Sequence, residues 1–269
     1  MIKKLIRSFL HVIAIIFLTV ITQIGGVVYL IAVLVVTNKK VKYRQKRLAL
    51  FAIVYLVSNL ILVPNLAPLF GREKIKQSEL IEAHSFFTNL MNRNYVRPEL
   101  NKALASIANR VSKKHKGLHL VYLDANFPFI NKFPLLPHLS HNDGKKIDVS
   151  LVYKDENGVL TNKKPSVSGY GVFEVPLKGE YNQIKACKDS GKWQYDFTKY
   201  FTFGAINKGL VFSEKGTKDL VLAIQKEPSI GKIFIEPHIK NRLHLKSSKI
   251  RFHGCQAVRH DDHIHFQLK

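Results

Sequence analysis

Two long stretches without a charged side chain mark the first quarter of the chain. Ser8 to Asn38 contains no Asp, Glu, Lys or Arg and is rich in Ile, Val, Leu and Phe, and a second uncharged run covers Leu48 to Gly71. A helix needs about 20 apolar residues to cross the hydrocarbon of a bilayer, so the pattern predicts two transmembrane helices, at about 8–36 and 48–68. Buried helices of soluble domains seldom stay uncharged for so long. Gly25-Gly26 offers a bend in the first span, and Pro64 and Pro68 are expected to close the second. A cleavable leader is the competing reading, with Lys3, Lys4 and Arg7 as its basic start. The apolar run is too long for one, and no small-residue cleavage site follows it.

Beyond Gly71 the pattern changes. Leu80, Ile81, Phe86, Phe87, Leu90, Met91, Leu100, Leu104, Ile107, Ala108 and Val111 have helical spacing, with a second helix opening near Arg97-Pro98. His119 to Leu123, Asp148 to Tyr153, Lys232 to Glu236, Ile250 to Phe252 and Asp262 to Leu268 read as strands. Lys154 to Pro176 reads as a turn with a loop or hairpin insertion, Glu214 to Ile224 as a helix, and Pro237 to Leu243 as a short helix. The chain is therefore expected to form a membrane anchor over 1–71 and an α+β domain over 78–269, its sheet mainly antiparallel with flanking helices.

The chain carries 42 Lys and Arg against 19 Asp and Glu. Lys39, Lys40, Lys42, Arg44, Lys46 and Arg47 crowd the loop between the two runs, which the positive-inside rule places in the cytoplasm. With two spans, both termini and everything after about Gly71 would lie outside, on the periplasmic or extracytoplasmic side of a bacterial cytoplasmic membrane. A cytoplasmic domain on an inverted hairpin requires that rule to fail. Residues 81–269 keep 30 Lys and Arg against 17 Asp and Glu, a surface that is either simply solvated or drawn to anionic envelope polymers or lipid head groups. Nucleic acid is not an expected partner, because the basic residues are scattered and no RNA-binding or zinc-finger pattern is present. Cys187 and Cys255 are the only cysteines. They would form one bridge in an oxidising compartment or remain two buried thiols. Without a C-x-x-C motif, a cysteine-held zinc is not expected.

The candidate chemistry lies in histidines. His138-Leu139-Ser140-His141 is followed by Asp148, seven residues past His141, and the chain closes on His260-Asp261-Asp262-His263-Ile264-His265. A hydrolytic zinc takes three protein ligands and keeps a fourth position for water. His141, Asp148 and one histidine of the last cluster would supply that set. In a strand, side chains two apart point the same way, so His263 and His265 would project together. Spacing alone does not choose between them. His11, His84, His115, His119, His238, His244 and His253 have no such context and read as ordinary surface or core residues.

The order of an early His, an Asp seven residues on and a late His-x-His resembles the zinc peptidases of the lysostaphin, D-alanyl-D-alanine peptidase and hedgehog superfamily. The stretches His138 to Asp148 and His260 to Phe266 are most similar to penicillin-insensitive murein endopeptidases. The likeness covers about residues 100 to 268, with weaker matches at Tyr195-Asp196 and Ile233 to Leu243; the spans lie outside it. The resemblance implies zinc on His141, Asp148 and His265, with His263 acting as base and then acid. It implies that His260 orients groups or stabilises the tetrahedral intermediate, and that His138 lines the site. Asp261 and Asp262 would be partners of the imidazoles or part of a solvated turn. The implied substrate is a peptidoglycan peptide, cut at a cross-link between D-alanine and a diamino acid. A D-Ala-D-Ala carboxypeptidase or dipeptidase is the alternative within that chemistry. A non-catalytic, membrane-tethered envelope-binding protein is the alternative outside it. The chain departs from the pattern at Asn142, where Gln is usual, in having two cysteines, and in having an anchor instead of a cleaved leader.

Overall fold

A computed structural model describes residues 2–37 and 42–269. The first apolar run is two helices, α1 (Ile2–Thr22) and α2 (Gly25–Val35), which turn back on each other at Gln23-Ile24. Gln23 takes a positive φ of 68° there. The expected single span at about 8–36 is therefore a helical hairpin. Hydropathy averaged along a charge-free run does not register a turn made by uncharged residues. α3 (Tyr43–Phe70) follows, and α1 and α3 are both long and apolar enough to cross a membrane. Pro64 does not close α3. The helix widens to a π turn over Ser58–Leu62, a means of passing a residue that lacks an N–H, and ends at Gly71 with a φ of 69°.

Contacts at the two ends set the direction of these helices. Near the start of α1, Arg7 donates to the Tyr43 hydroxyl at the start of α3. At the other end Asn92 donates to the Thr22 carbonyl, Tyr55 to the Leu90 carbonyl, and the Phe129 N–H to Gln23. The beginning of α1 thus shares an end with the beginning of α3, opposite the α+β domain. The expectation that both termini lie on the domain's side is corrected for the first of them. α1, α2 and α3 pass up, back and up again.

α1 and α2 pack closely because glycine stands where they meet. A Cβ on Gly26 would overlap Thr19 Oγ1 and stand 2.5 Å from the Ile15 carbonyl oxygen. We expect Gly26→Leu to cost about 3 kcal/mol through overpacking, lowering the unfolding temperature of the detergent-purified chain by several degrees. Val27→Leu, at a neighbouring exposed position, should leave it unchanged.

The domain is built on a six-stranded mixed sheet. Its strands are β1 (Ile81–Ala83), β2 (Leu120–Asp124), β3 (Lys146–Ser150), β4 (Ile230–Phe234), β5 (Ile250–Arg251) and β6 (His263–Leu268). They lie in the order β5-β4-β6-β3-β2-β1. The three inner pairings are antiparallel, and the edge pairings of β5 with β4 and β1 with β2 are parallel. The α+β class and the antiparallel centre are thus as expected, and the parallel edges are additional. The long helices of the domain, α4 (Pro98–Lys114) and α6 (Glu214–Gln225), pack one face. Leu100, Leu104, Ile107, Val221 and Ile224 share a buried core there with Ile147, Val149, Ile264 and Phe266. Strand alternation sends the intervening side chains, including Asp148, His263 and His265, to the opposite face.

That second face is roofed by loops. The cysteines form a bridge, Cys187–Cys255, which joins α5 (Gln183–Asp189) to the segment leading into His260. Arg72, the first charged residue after the second apolar run, is buried at 1% exposure. Its guanidinium donates to the Phe127 carbonyl, to Asn131 Oδ1 and to the Asn142 carbonyl. The first charged residue after the helical unit therefore holds the loop that carries His138 and His141.

Candidate metal centre

Register brings the two distant motifs together. β6 pairs with β3 so that His265 lies opposite Asp148 and His263 opposite Ser150, and directly opposed side chains on one face of a sheet are near neighbours. His141 enters from the loop after β2, and its Nδ1 lies 2.7 Å from the Ala125 carbonyl oxygen. A carbonyl can only accept, so Nδ1 carries the proton and the Nε2 lone pair faces inward.

Three donors then close a triangle. His141 Nε2 is 3.1 Å from His265 Nδ1 and 3.2 Å from Asp148 Oδ1, and His265 Nδ1 is 2.9 Å from the same oxygen. Donors bound to one tetrahedral ion by bonds of about 2.0–2.1 Å stand roughly 3.3 Å apart. A second grouping shares two of these residues: His138, His141 and Asp148 each bring a donor within 4.8 Å of one another, and this buried group can hold a metal ion. His138 Nδ1 approaches the other carboxylate oxygen, Oδ2, at 2.6 Å, yet neither nitrogen of its ring has a hydrogen-bond partner among the described residues. Because Oδ1 is the oxygen that faces His141, the compact set is the one that includes His265. His138 stands beside it, its ring stacked against His263 with centroids 5.6 Å apart.

Burial and charge set the protonation of the cluster. Burial would raise the Asp148 carboxyl, but the imidazoles of His141, His263 and His138 outweigh it and hold the group well below the usual carboxylate range. His265 is lowered to about 4, chiefly by burial. His260 is driven well below its ordinary value by burial and by its neighbours His263, His265 and His253, so it is neutral at pH 7. His263 goes the other way: burial opposes its charge, but the carboxylates of Asp148 and Asp262 raise it to about 9. Its Nδ1 is 2.5 Å from Asp262 Oδ1, and its Nε2 lies 3.8 Å from Asp148 Oδ1. An imidazole anchored through Nδ1 by a carboxylate presents Nε2 as its proton-exchanging atom.

The adjacent aspartates divide. Asp262 holds His263 and accepts the Gly171 N–H at 2.6 Å. Asp261 turns away to Arg259, which also reaches Asp196 Oδ1 at 2.8 Å. Asp262 is thus a partner of an imidazole of the cluster, whereas Asp261 has His238 Nε2 at 3.9 Å, outside the cluster. Neither belongs to a solvated turn, since both are fully buried.

Sequence reasoning missed Tyr170, whose hydroxyl donates to Asp148 Oδ2 at 2.9 Å. Burial, followed by the neighbouring carboxylates, keeps its phenol protonated well above the usual range. It arrives on the segment read as a hairpin insertion, of which only Tyr153–Lys154 and Leu160–Thr161 form the hairpin. The available signal was the pair of glycines around it. Gly171 has a φ of 79°, and a Cβ there would lie 2.6 Å from Thr202 Cγ2 and 2.8 Å from the Thr198 carbonyl oxygen. His253 is exposed, in keeping with its reading as an ordinary surface residue. Its ring packs on Phe234 at 4.2 Å and on His260 at 5.4 Å, and nothing in its sequence surroundings distinguishes it. Tyr170→Phe should weaken metal binding about 10–100-fold by removing a partner of the ligating carboxylate. Chelator competition on the purified protein would show this, and an unchanged affinity would remove Tyr170 from the site.

No protein-family model matches this chain, and no curated protein matches it.

Proposed function

We propose that the cluster holds zinc and that the protein is a membrane-anchored metallopeptidase. It would act on peptidoglycan peptides at a cross-link between D-alanine and a diamino acid. The triangle of His141 Nε2, Asp148 Oδ1 and His265 Nδ1 carries this reading. Two imidazole nitrogens and one carboxylate oxygen at such separations form a donor set that suits zinc. The reading places the chain with the superfamily named above and gives the domain a hedgehog-like fold, in which His-x-His ends a central strand.

Zinc bound there would polarise a scissile carbonyl and lower the pKa of water. The carboxylates of Asp148 and Asp262 hold His263 protonated in the metal-free cluster; zinc on Asp148 would offset that charge, and the neutral imidazole, oriented by Asp262, would then accept a proton at Nε2 and return it to the leaving amine. Neutral His260, beside it at 4.9 Å between centroids, can donate to a developing oxyanion. His138 and Tyr170 wall the site. The donors are each under a tenth exposed, and the Tyr170 ring packs against His138 and His263, so this reading requires the site to open before a peptide reaches them.

Lys3, Lys4 and Arg7 stand at the same end of the helical unit as Lys42, Arg44, Lys46 and Arg47, and with α1 and α3 as spans that end lies on one side of the membrane. The positive-inside rule makes that side cytoplasmic and the catalytic side periplasmic or extracytoplasmic. The Cys187–Cys255 bridge supports that side, because disulfides persist in oxidising compartments. Digestion of purified cross-linked muropeptides, with mass spectrometry of the products, tests the function. Chelator-sensitive conversion of dimers to monomers is expected. Release of terminal D-alanine alone would instead assign a carboxypeptidase. The buried state of the site favours one further reading, a metal that only stiffens a tethered envelope-binding domain. Absence of any cleavage by the zinc-loaded protein would select it.

A further inference from the structure

The end of the helical unit away from the α+β domain contains a groove of about 550 Å³. It exists because α2 is short. Its 11 residues span about 16 Å, whereas the 21 of α1 span about 31 Å, so α1 and α3 are left without a helix between them at that end. Lys3, Arg7, Arg44 and Arg47 line the groove, and Leu10, Leu48 and Phe51 supply apolar wall.

The cations are gathered around one ring. The guanidiniums of Arg7 and Arg47 lie 5.4 Å, and that of Arg44 5.9 Å, from the centroid of Tyr43. Arg7 and Arg44 both donate to the Tyr43 hydroxyl, at 3.0 and 3.2 Å. Arg47 is occupied by the last carbonyls of α2, donating to Val33 and Val36. Residues 1–71 contain no Asp or Glu, so the helical unit has no carboxylate of its own to offset this charge. Like charges held this close repel unless an anion joins them. A head-group phosphate beside a hydrocarbon chain matches both the charge and the apolar wall.

We propose that the groove binds one anionic glycerophospholipid. Its phosphate meets Arg7 and Arg44, and an acyl chain lies along Leu10, Leu48 and Phe51. The site is separate from the metal centre and rests on the reading that α1 and α3 cross a membrane.

Native mass spectrometry of the full chain in detergent, titrated with phosphatidylglycerol or phosphatidylcholine of matched acyl chains, tests it. The expected result is one phosphatidylglycerol retained at least tenfold more tightly than phosphatidylcholine. Arg7→Gln with Arg44→Gln should lose that preference, and Arg7→Lys with Arg44→Lys should keep it. Equal retention of the two lipids by the wild-type chain would overturn the proposal without any variant, as would an unchanged preference in the double glutamine variant. Release of the chain from membranes by alkaline carbonate would overturn the spanning reading, and the lipid site with it.

Discussion

Asp148→Ala should empty the metal centre and abolish turnover. Its carboxylate contributes one corner oxygen to the donor triangle and faces two further imidazoles, His138 and His263, so its loss removes both a ligand and the negative charge that offsets them. We expect metal content after dialysis to fall to about a tenth of wild type or less, and His141→Ala to behave alike, since lost ligands cost more than the 10–100-fold typical of outer partners. Asp148→Asn keeps the side chain's shape and should still lose the metal. Elemental analysis, with circular dichroism as the check on folding, makes the measurement. Full zinc occupancy in Asp148→Asn would end the assignment of this residue as a ligand.

His263→Ala should separate chemistry from metal binding. Its Nδ1 is anchored to Asp262 and its Nε2 stands outside the triangle, so the variant is expected to retain zinc. Removing a positioned acid–base group should lower turnover about 10²–10⁴-fold. His265→Ala, two residues on, is expected to lose the metal as well. Side-by-side metal content and muropeptide digestion would decide the matter. Equal zinc loss in both variants would return the choice between the two histidines to where spacing alone left it.

Five strands of the sheet were legible because their alternation is local: Ile264 and Phe266 face the core on either side of His265, as a period of two requires. β1 was not, because Leu80 and Ile81 fall in the helical spacing that continues through Phe86 and Leu90. Nor was the apposition of β6 with β3. Those strands are more than a hundred residues apart in sequence, and nothing within either one names its partner. Motif order drew His141, Asp148 and His265 into one group, whereas Tyr170 comes from an irregular segment whose position is set by the surrounding fold. In the anchor, a charge-free stretch shows that residues avoid water and says nothing of where the chain reverses, so α1 and α2 read as one span. Arg72 is a related case. A cation after an apolar run looks like an interfacial flank, and only the carbonyls of Phe127 and Asn142 and the amide oxygen of Asn131 explain why it is buried instead. Burial lowers its pKa to about 10, still far enough above neutrality for it to stay charged.

Arg72, Tyr55, Asn59 and Gln23 together join the helices to the domain through hydrogen bonds, and Val63 and Ala67 share a small apolar cluster with Tyr95. On the proposed reading the domain would sit on the bilayer like a fixed fitting instead of swinging on a leash. Its reach would then be set by its own height, roughly 40 Å for a body of this size, and a polymer strand it acted on would have to be carried down to that level.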